Sequence, residues 1–353
     1  MRKKLFTLIA FLLTFVMLST SACGPQATPT PTKVPPTATK APVVAPTQAP
    51  TAAPTAIPTK VEVSEVEKIT VGVGPFTAHA SLYAADKLGY FKAEGLTVEL
   101  QQASGAMALS LVQAGKLHFA GAGASSVIQG RYEGFDFMPV ITASVMRKEA
   151  TTALGLVIKT DSPIKGPKDL EGKRIATTEL NNIIWLYVRA VVKKYGGDPD
   201  KMRWVEMSYA NMSDALLNNQ IDVAATTEPF ITPLLETGKT RYFISQYHEI
   251  EPGLQVAFWT GSEKWIKEHP IATKKFYRAL SRANDYLNQN PAEKRKYTLE
   301  WTKMNPALFD KLIPEGPWEN SINIPMLQRG ADLMLEGGLI KTKVDASKIV
   351  YKP

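Results

Sequence analysis

The chain has 353 residues but only one cysteine, Cys23, and four histidines. A single cysteine excludes a fold held together by intrachain disulfides. The histidines lie far apart in sequence and show none of the spacings typical of a metal site; they are His79, His118, His248 and His269. We therefore predict neither a bound metal nor a cofactor.

Sequence motifs of nucleophilic and phosphate-binding enzymes are also missing. Neither Gly-x-Ser-x-Gly nor a Walker A sequence occurs. The glycine-containing segments 72–74 and 121–126 lack the third glycine of a dinucleotide fingerprint, and close backbone approach at a loop is the simpler reason for these glycines. These absences favour a binding protein without enzymatic activity.

Charge of one sign is not concentrated along the chain. Forty-one basic and 33 acidic residues give a net charge of +8. Three of the basic residues, at positions 2–4, precede the apolar N-terminal segment, and the rest are scattered. This distribution is typical of a solvated mixed surface, so no nucleic-acid partner is predicted.

Long apolar runs are absent apart from residues 5–18. Fourteen helical residues extend about 21 Å, less than a hydrocarbon core of roughly 30 Å. A basic start, this short run and small residues before Cys23 are typical of a secretory signal. The cysteine resembles that of a bacterial lipobox, although Thr20 stands where leucine is usual; a secretory signal with an incidental cysteine is the alternative.

We predict a lipoprotein signal peptide over residues 1–22, followed by acylation of Cys23. Residues 23–65 are rich in Pro, Thr and Ala, with ten prolines between positions 25 and 60. Such a segment cannot bury a core and favours an extended, semi-rigid tether. The layout predicts a globular part that is lipid-anchored on the extracytoplasmic side of the cell membrane.

From residue 66 onward, strand-like and helix-like patterns alternate in two series. This alternation predicts an α/β fold with two lobes, largely parallel sheets and a helical C-terminal tail. We place the first part of lobe 1 at residues 66–155, lobe 2 at 156–260, and the return to lobe 1 with the C-terminal helices at 261–353. The predicted strands cover residues 69–73, 96–100, 117–120, 138–143, 154–159, 174–177, 204–207, 221–225 and 256–260.

Several segments resemble the substrate-binding proteins of ABC importers, in the branch that includes sulfonate, nitrate and thiamine-pyrimidine binders. Residues 82–100 (LYAADKLGYFKAEGLTVEL) resemble the opening of these proteins, and residues 113–119, 161–176 and 228–230 continue the similarity. The resemblance covers roughly residues 66–300. It implies a two-lobed periplasmic-binding-protein-like fold with two crossovers, hinge closure on one ligand, and ABC permease and ATP-binding subunits as partners.

Departures from this family's motifs direct the prediction of the ligand. Anion binders offer small hydroxyl residues where this chain has Glu179, whose carboxylate would repel an anion. Pyrimidine binders carry Trp-x-Pro-Asn and then His; here Pro75 and His79 match, but Phe76 replaces the Asn and the Trp is absent. Overall the chain resembles the riboflavin-binding lipoproteins of bacterial ABC importers, so the predicted function is capture of riboflavin outside the membrane and its delivery to the permease. A thiamine pyrimidine precursor, another small aromatic or a sulfonate-type nutrient is the alternative.

The predicted ligand-binding residues follow the strand ends, where α/β folds bind ligands. Aromatic rings would stack on a flavin, hydroxyls would meet its ribityl chain, and amide or carboxyl groups would read the ring edge. Core packing is an alternative role for Trp185, and ordering of a loop is one for Glu228. The predicted set is Phe76, His79, Ser104, Ser125, Ser126, Thr142, Ser144, Asn181, Trp185, Tyr209, Asn211 and Glu228.

Overall fold

The structure is a computed structural model that describes residues 67–353. The predicted signal peptide, Cys23 and the whole of the predicted tether therefore lie outside the described residues. In the described part, no helix is both long and apolar enough to cross a bilayer. The same residues contain no group of three or more His, Cys, Asp or Glu side chains placed to hold a metal ion.

The strands form two sheets, with orders β2-β1-β3-β10-β4 and β7-β6-β8-β5-β9 in the numbering given below. β10 is antiparallel to β3 and β4, and β5 is antiparallel to β8 and β9, whereas the remaining strands of each sheet share one direction. The described strands are β1 (Glu67–Val73), β2 (Leu96–Gln102), β3 (Phe119–Gly123), β4 (Phe137–Val145), β5 (Leu154–Lys159), β6 (Arg174–Thr177), β7 (Arg203–Glu206), β8 (Val223–Thr227), β9 (Thr240–Ile244) and β10 (Gln255–Ser262).

Helices connect these strands and form the C-terminal part of the chain. Several begin at a residue whose side chain accepts a hydrogen bond from the first helical turn, such as Asn182, which accepts from the Trp185 N–H at 2.9 Å. The described α-helices are α1 (Ala80–Lys87), α2 (Tyr90–Ala93), α3 (Gly105–Gln113), α4 (Ala124–Tyr132), α5 (Ile183–Lys194), α6 (Tyr209–Leu217), α7 (Ile231–Glu236), α8 (Gln246–Ile250), α9 (Glu263–Glu268), α10 (Pro270–Gln289), α11 (Pro291–Thr302), α12 (Pro306–Phe309) and α13 (Ile324–Glu336).

The sheets set lobe boundaries that differ from the predicted ones. β10 pairs with β3 and β4, so the chain returns to the first sheet at residue 255 and not at 261. All of β5 belongs to the second sheet, which therefore begins at residue 154 and not at 156. The chain passes between the sheets at residues 146–153 and again at 245–254, which gives two crossovers.

Three segments that carry predicted ligand-binding residues are parts of regular elements. The predicted loop at 121–126 is the end of β3 joined directly to the first turn of α4, because Gly121 and Gly123 pair with β10. The segment 142–144 lies inside β4 for the same reason, since this strand pairs with β10 up to Val145. Residues 209–211, which include the predicted ligand-binding residues Tyr209 and Asn211, form the first turn of α6.

Separate apolar clusters support the two sheets. Beneath the first sheet, Phe119 stacks on Phe276 of α10 with ring centroids 4.2 Å apart. A larger cluster under the second sheet joins Ile128 of α4, Leu186 of α5 and Met334 of α13. The C-terminal helix α13 therefore packs against elements of both sheets, and does not simply return to the first lobe.

Candidate functional site

The carboxyl ends of the parallel strands in both sheets carry most of the predicted site residues, and two hollows lie at this edge. One hollow of about 580 Å³, called here the serine hollow, lies between α3 and α4 on one side and the β6–α5 turn on the other. A second hollow of about 430 Å³, called the strap hollow, is lined by residues of α11 and of the segment 309–318. We describe the predicted residues by the hollow or cluster in which each lies.

The serine hollow contains Ser125, Ser126 and Asn181 from the predicted set. The two serines belong to the first turn of α4, where Ser125 is buried and Ser126 exposed. Asn181 has a positive φ of 63°, a conformation that asparagine tolerates better than most residues. Glu179 also lines this hollow and is exposed, so the carboxylate singled out in the sequence lies at the edge of a cavity.

Hydrogen bonds within the β6–α5 turn hold it in shape. The Thr177 hydroxyl donates to the Glu179 carbonyl at 3.2 Å, and the Asn182 amide donates to the Thr178 hydroxyl at 3.2 Å. The Leu180 N–H donates to Glu206 Oε1 at 2.7 Å. The turn is thus ordered by its own side chains and by a carboxylate from the end of β7.

A cluster of aromatic rings lies at the end of β1. His79 is buried, and its ring centroid is 5.5 Å from that of Phe76 and 4.7 Å from that of Trp259. The Gly74 N–H donates to His79 Nδ1 at 3.0 Å, which leaves Nε2 as the protonated nitrogen. Burial lowers the pKa of His79 to about 4, so the ring is neutral near pH 7.

The close packing of this cluster explains two glycines. A Cβ on Gly121 would lie 2.6 Å from His79 Nε2. A Cβ on Gly74 would lie 2.5 Å from the Phe76 ring and 3.2 Å from the Ser104 Cβ. The structure therefore brings Phe76, His79 and Ser104 together, and Phe76 keeps 37% of its surface exposed.

On the second sheet, Tyr209 stacks on Phe230, with ring centroids 5.6 Å apart and an interplanar angle of 27°. Burial raises the pKa of Tyr209, partly offset by a hydrogen bond with Thr178. Asn211 is exposed in the first turn of α6. Tyr209 and Asn211 thus lie at the strand edge, but on a helix.

Trp185 belongs to a different surface of the second sheet. Its ring centroid is 6.1 Å from that of Trp204, and the Arg189 guanidinium lies 4.6 Å over it. Trp185 packs against the apolar cluster and lines neither hollow. The structure therefore favours the packing role for this residue over ligand stacking.

Glu228 binds a segment of the chain that sequence reasoning did not connect with the site. This segment, residues 311–319, is called here the strap. Glu228 Oε1 accepts the Ile313 N–H at 2.9 Å and the Thr232 hydroxyl at 2.6 Å, and Oε2 accepts the Thr232 N–H at 3.1 Å. Burial raises the pKa of Glu228, which these hydrogen bonds oppose. Its oxygens order the loop and the strap.

The strap also takes up two hydroxyls that were predicted to meet a ligand. The Ser144 hydroxyl donates to Glu315 Oε2 at 3.1 Å, and the Thr142 hydroxyl donates to the Glu319 carbonyl. Both side chains belong to β4 and are buried. Their hydroxyls therefore donate to the protein's own chain, and their contact with a ribityl group stays a prediction.

Three candidate site residues were not predicted from the sequence: Glu315, Lys294 and Trp318. Lys294 Nζ lies 4.5 Å from the Trp318 ring centroid, and both residues line the strap hollow. Burial lowers the pKa of Lys294, and the nearby Glu315 carboxylate opposes this shift. The sequence feature that could have indicated Glu315 and Trp318 is the segment Pro-Glu-Gly-Pro-Trp at 314–318, which combines turn residues with a carboxylate and a large ring.

These groups together suit non-covalent capture of a small molecule. The site offers an exposed ring, hydroxyls and a stacked aromatic pair. The carboxylates that line the two hollows outnumber the one lysine, Lys294; they are Glu133, Glu179, Glu228, Asp310 and Glu315. Mostly apolar walls with a few fixed polar groups are typical of ligand pockets.

Comparison with known proteins adds a family and a fold. A family model described as NMT1/THI5 like matches residues 76–294. The putative aliphatic sulfonates-binding protein of Bacillus subtilis (strain 168) is 22% identical over 265 residues, covering 74% of this chain and 78% of that protein. The 4-amino-5-hydroxymethyl-2-methylpyrimidine phosphate synthase of Candida albicans (strain WO-1) is 27% identical over 230 residues, covering 61% of this chain and 65% of that enzyme.

Among solved structures, the periplasmic aliphatic sulphonate binding protein SsuA from Escherichia coli is similar, with a TM-score of 0.68 at 15% identity. The likeness covers 81% of this chain and 97% of that protein. Two sheets joined by two crossovers thus form a two-lobed periplasmic-binding-protein fold, as predicted. Because the family model matches more than half of its length, the chain belongs to the NMT1/THI5-like family.

Proposed function

We propose that this protein is the solute-binding component of an ABC importer and that it captures riboflavin in the cleft between its two sheets. The bound solute would be delivered to the permease without chemical change. Support for the general role comes from the fold and from the sulfonates-binding relative. The choice of riboflavin rests on the chemistry of the cleft.

The observation that carries this choice is the shortage of cations around an exposed aromatic ring. The strand-end segments 74–79, 121–126, 178–182 and 226–230 contain no Arg or Lys. Phe76 is exposed and packs on the neutral ring of His79. An uncharged, flat solute with hydroxyls suits such a site, because aromatic contacts add roughly 0.5–1.5 kcal/mol per pair beyond area burial.

The riboflavin site would be built from groups on both sheets. Phe76 and the Tyr209–Phe230 pair supply aromatic faces. Ser104, Ser125 and Ser126 supply hydroxyls for the ribityl chain, and Asn181 and Asn211 supply amides for the ring edge. His79 would hold the Phe76 ring in place, because its own ring is nearly fully buried and packs against that ring.

A sulfonate-type nutrient is the second candidate, and one specific observation favours it. Lys294 places a positive charge in the strap hollow, on the face of Trp318. An ammonium over an aromatic floor suits an anion with an apolar body. A thiamine pyrimidine is the third candidate, because Pro75 and His79 match the motif of pyrimidine binders and a pyrimidine phosphate synthase is among the relatives.

We further propose that the protein is held on the extracytoplasmic membrane surface by acylation of Cys23. The basic and apolar start, the small residues and the Pro/Thr-rich tether support this location. The tether would give the cleft the reach to meet a permease in the same membrane.

Calorimetry with the purified full chain tests the proposed function. The ligands are riboflavin, ethanesulfonate and 4-amino-5-hydroxymethyl-2-methylpyrimidine. We expect one-to-one binding of riboflavin at micromolar concentration or tighter, which corresponds to about 8 kcal/mol, and recovery of unaltered riboflavin. Binding of one of the other two ligands with no heat from riboflavin would transfer the assignment to that ligand.

A further inference from the structure

The Glu315 carboxylate occupies a set of hydrogen-bond donors at the edge of the first sheet. The Ser144 hydroxyl donates to it at 3.1 Å, and the Thr77 hydroxyl donates to its other oxygen. The Ala78 N–H also donates to this carboxylate. Two hydroxyls and a backbone N–H, from the neighbouring residues Thr77 and Ala78 and from the distant Ser144, therefore converge on one carboxyl group. Burial raises the pKa of Glu315, and these hydrogen bonds and the positive charge of Lys294 oppose this shift.

The strap is fixed around Glu315 by contacts on either side. The Gly316 N–H donates to the Val145 carbonyl at 2.9 Å, and a Cβ on Gly316 would lie 2.8 Å from the Met146 carbonyl oxygen. The Trp318 Nε1–H donates to the Ala78 carbonyl at 3.0 Å. Glu315 is thus held in place by its neighbours as well as by its own hydrogen bonds.

The same donors would suit the anionic group of a solute. Hydroxyls and N–H groups that converge on one point are the usual protein ligands of a sulfonate, nitrate or carboxylate oxygen. In this protein those donors are already bonded to a carboxylate, and a second anion beside Glu315 would meet a like charge. The strap also lies C-terminal to the segment that the family model matches, residues 76–294.

We infer that Glu315 is a specificity-determining residue, because its carboxylate fills the donor set of Thr77, Ala78 and Ser144 and thereby excludes anionic solutes from this end of the cleft. The inference rests on the proposed solute-binding function and defines its substrate class. The exclusion acts through the occupied donors, because the positive charge of Lys294, whose Nζ lies against Trp318 of the strap, opposes the charge of Glu315.

The test is the binding of ethanesulfonate to variants of the full chain, measured by calorimetry. Glu315→Ala frees the three donors and removes the charge, so we expect it to bind ethanesulfonate at least tenfold more tightly than the wild type. Adding Ser144→Ala to this variant should reverse most of that gain, since it removes one freed donor. Glu319→Ala is the matched control, because it removes a carboxylate from the same strap and should leave sulfonate binding unchanged.

Circular dichroism establishes that each variant folds. If Glu315→Ala does not fold, the isosteric Glu315→Gln takes its place, and its neutral amide should still allow tighter sulfonate binding than the wild type. The inference is overturned if the wild type binds ethanesulfonate as tightly as the folded variant, or if neither binds it.

A riboflavin titration of the wild type separates this inference from the proposed function. Failure to bind riboflavin, together with gain of sulfonate binding in Glu315→Ala, would remove the ligand assignment and leave the role of Glu315 intact. Riboflavin binding by the wild type, without any gain of sulfonate binding in Glu315→Ala, would support the ligand assignment and overturn the role of Glu315.

Discussion

Ile313 and Glu315 lie two residues apart and bind opposite sheets. The Ile313 N–H donates to Glu228 at the edge of the second sheet, at 2.9 Å, while Glu315 accepts from Ser144 of the first sheet, at 3.1 Å. The strap therefore connects the two sheets directly, in addition to the two crossovers. Any change in the relative position of the sheets must stretch or release one of these contacts.

Gly316 gives a direct test of how closely the strap is seated. Gly316→Ala would place a Cβ 2.8 Å from the Met146 carbonyl oxygen and 2.9 Å from that of Val145. Because both atoms belong to the backbone, we expect a loss of about 1–3 kcal/mol in the free energy of unfolding. Urea denaturation measures it. Gly166→Ala is the control, since its Cβ would meet nothing within 4 Å; equal losses in the two variants would contradict the packing of the strap.

His79 should make stability depend on pH. Its pKa is about 4 in the folded protein, against about 6.5 in an unfolded chain. Between about pH 6.5 and pH 4 the imidazole is protonated in the unfolded state but neutral in the folded state. The free energy of unfolding therefore decreases as the pH falls through this range, and His79 does not affect it above about pH 6.5. The upper limit of this loss is about 3 kcal/mol.

Denaturant unfolding of the wild type and of His79→Gln at pH 7.5 and 4.5 measures this dependence. The wild type should lose more stability between the two pH values than the variant, which lacks the titrating ring. The same difference in both proteins would show that His79 is not held neutral in the folded state.

Phe76 and Trp185 should respond to truncation in opposite ways. Phe76→Ala removes an exposed ring at the site, so we expect riboflavin affinity to fall about tenfold or more, that is by about 1.4 kcal/mol or more, with little change in stability. Trp185→Ala removes a ring packed against Trp204 and Arg189, so we expect a loss of about 2–4 kcal/mol in stability and unchanged affinity. Calorimetry and urea denaturation of each variant decide between the two roles, and an affinity loss for Trp185→Ala would restore it to the site.

Cys23 determines the predicted membrane attachment. Replacement with serine removes the thiol that would carry the acyl chain, so Cys23→Ser should appear in the soluble fraction while the wild type partitions into detergent. Partitioning that is the same for both proteins would exclude lipidation at this position.

Local patterns predicted most of the fold. The strands predicted at residues 154–159 and 174–177 are found with the same bounds, as β5 (Leu154–Lys159) and β6 (Arg174–Thr177). β9 was not predicted, because it is an edge strand whose residues are mostly half-buried. The alternation of apolar and polar residues that indicates a strand is therefore weak.

The candidate site was harder to predict because its decisive contacts are distant in sequence. Glu315 bonds to Thr77 across 238 residues and to Ser144 across 171. No local sequence pattern indicates such a contact. From the sequence alone, the Ser144 hydroxyl could therefore be assigned to a ligand. Trp185 illustrates the same limit: it lies in the first turn of α5, but its ring packs against Trp204 from β7, a contact that is distant in sequence.

Fluorescence titration of riboflavin with the purified chain tests the central claim, that the cleft binds riboflavin. Stacking on a tyrosine such as Tyr209 quenches flavin emission, so we expect saturable quenching at one ligand per chain, with riboflavin 5′-phosphate binding at least tenfold more weakly because of Glu179 and Glu315. Absence of quenching and of heat with riboflavin, alongside binding of ethanesulfonate or a thiamine pyrimidine, would contradict it.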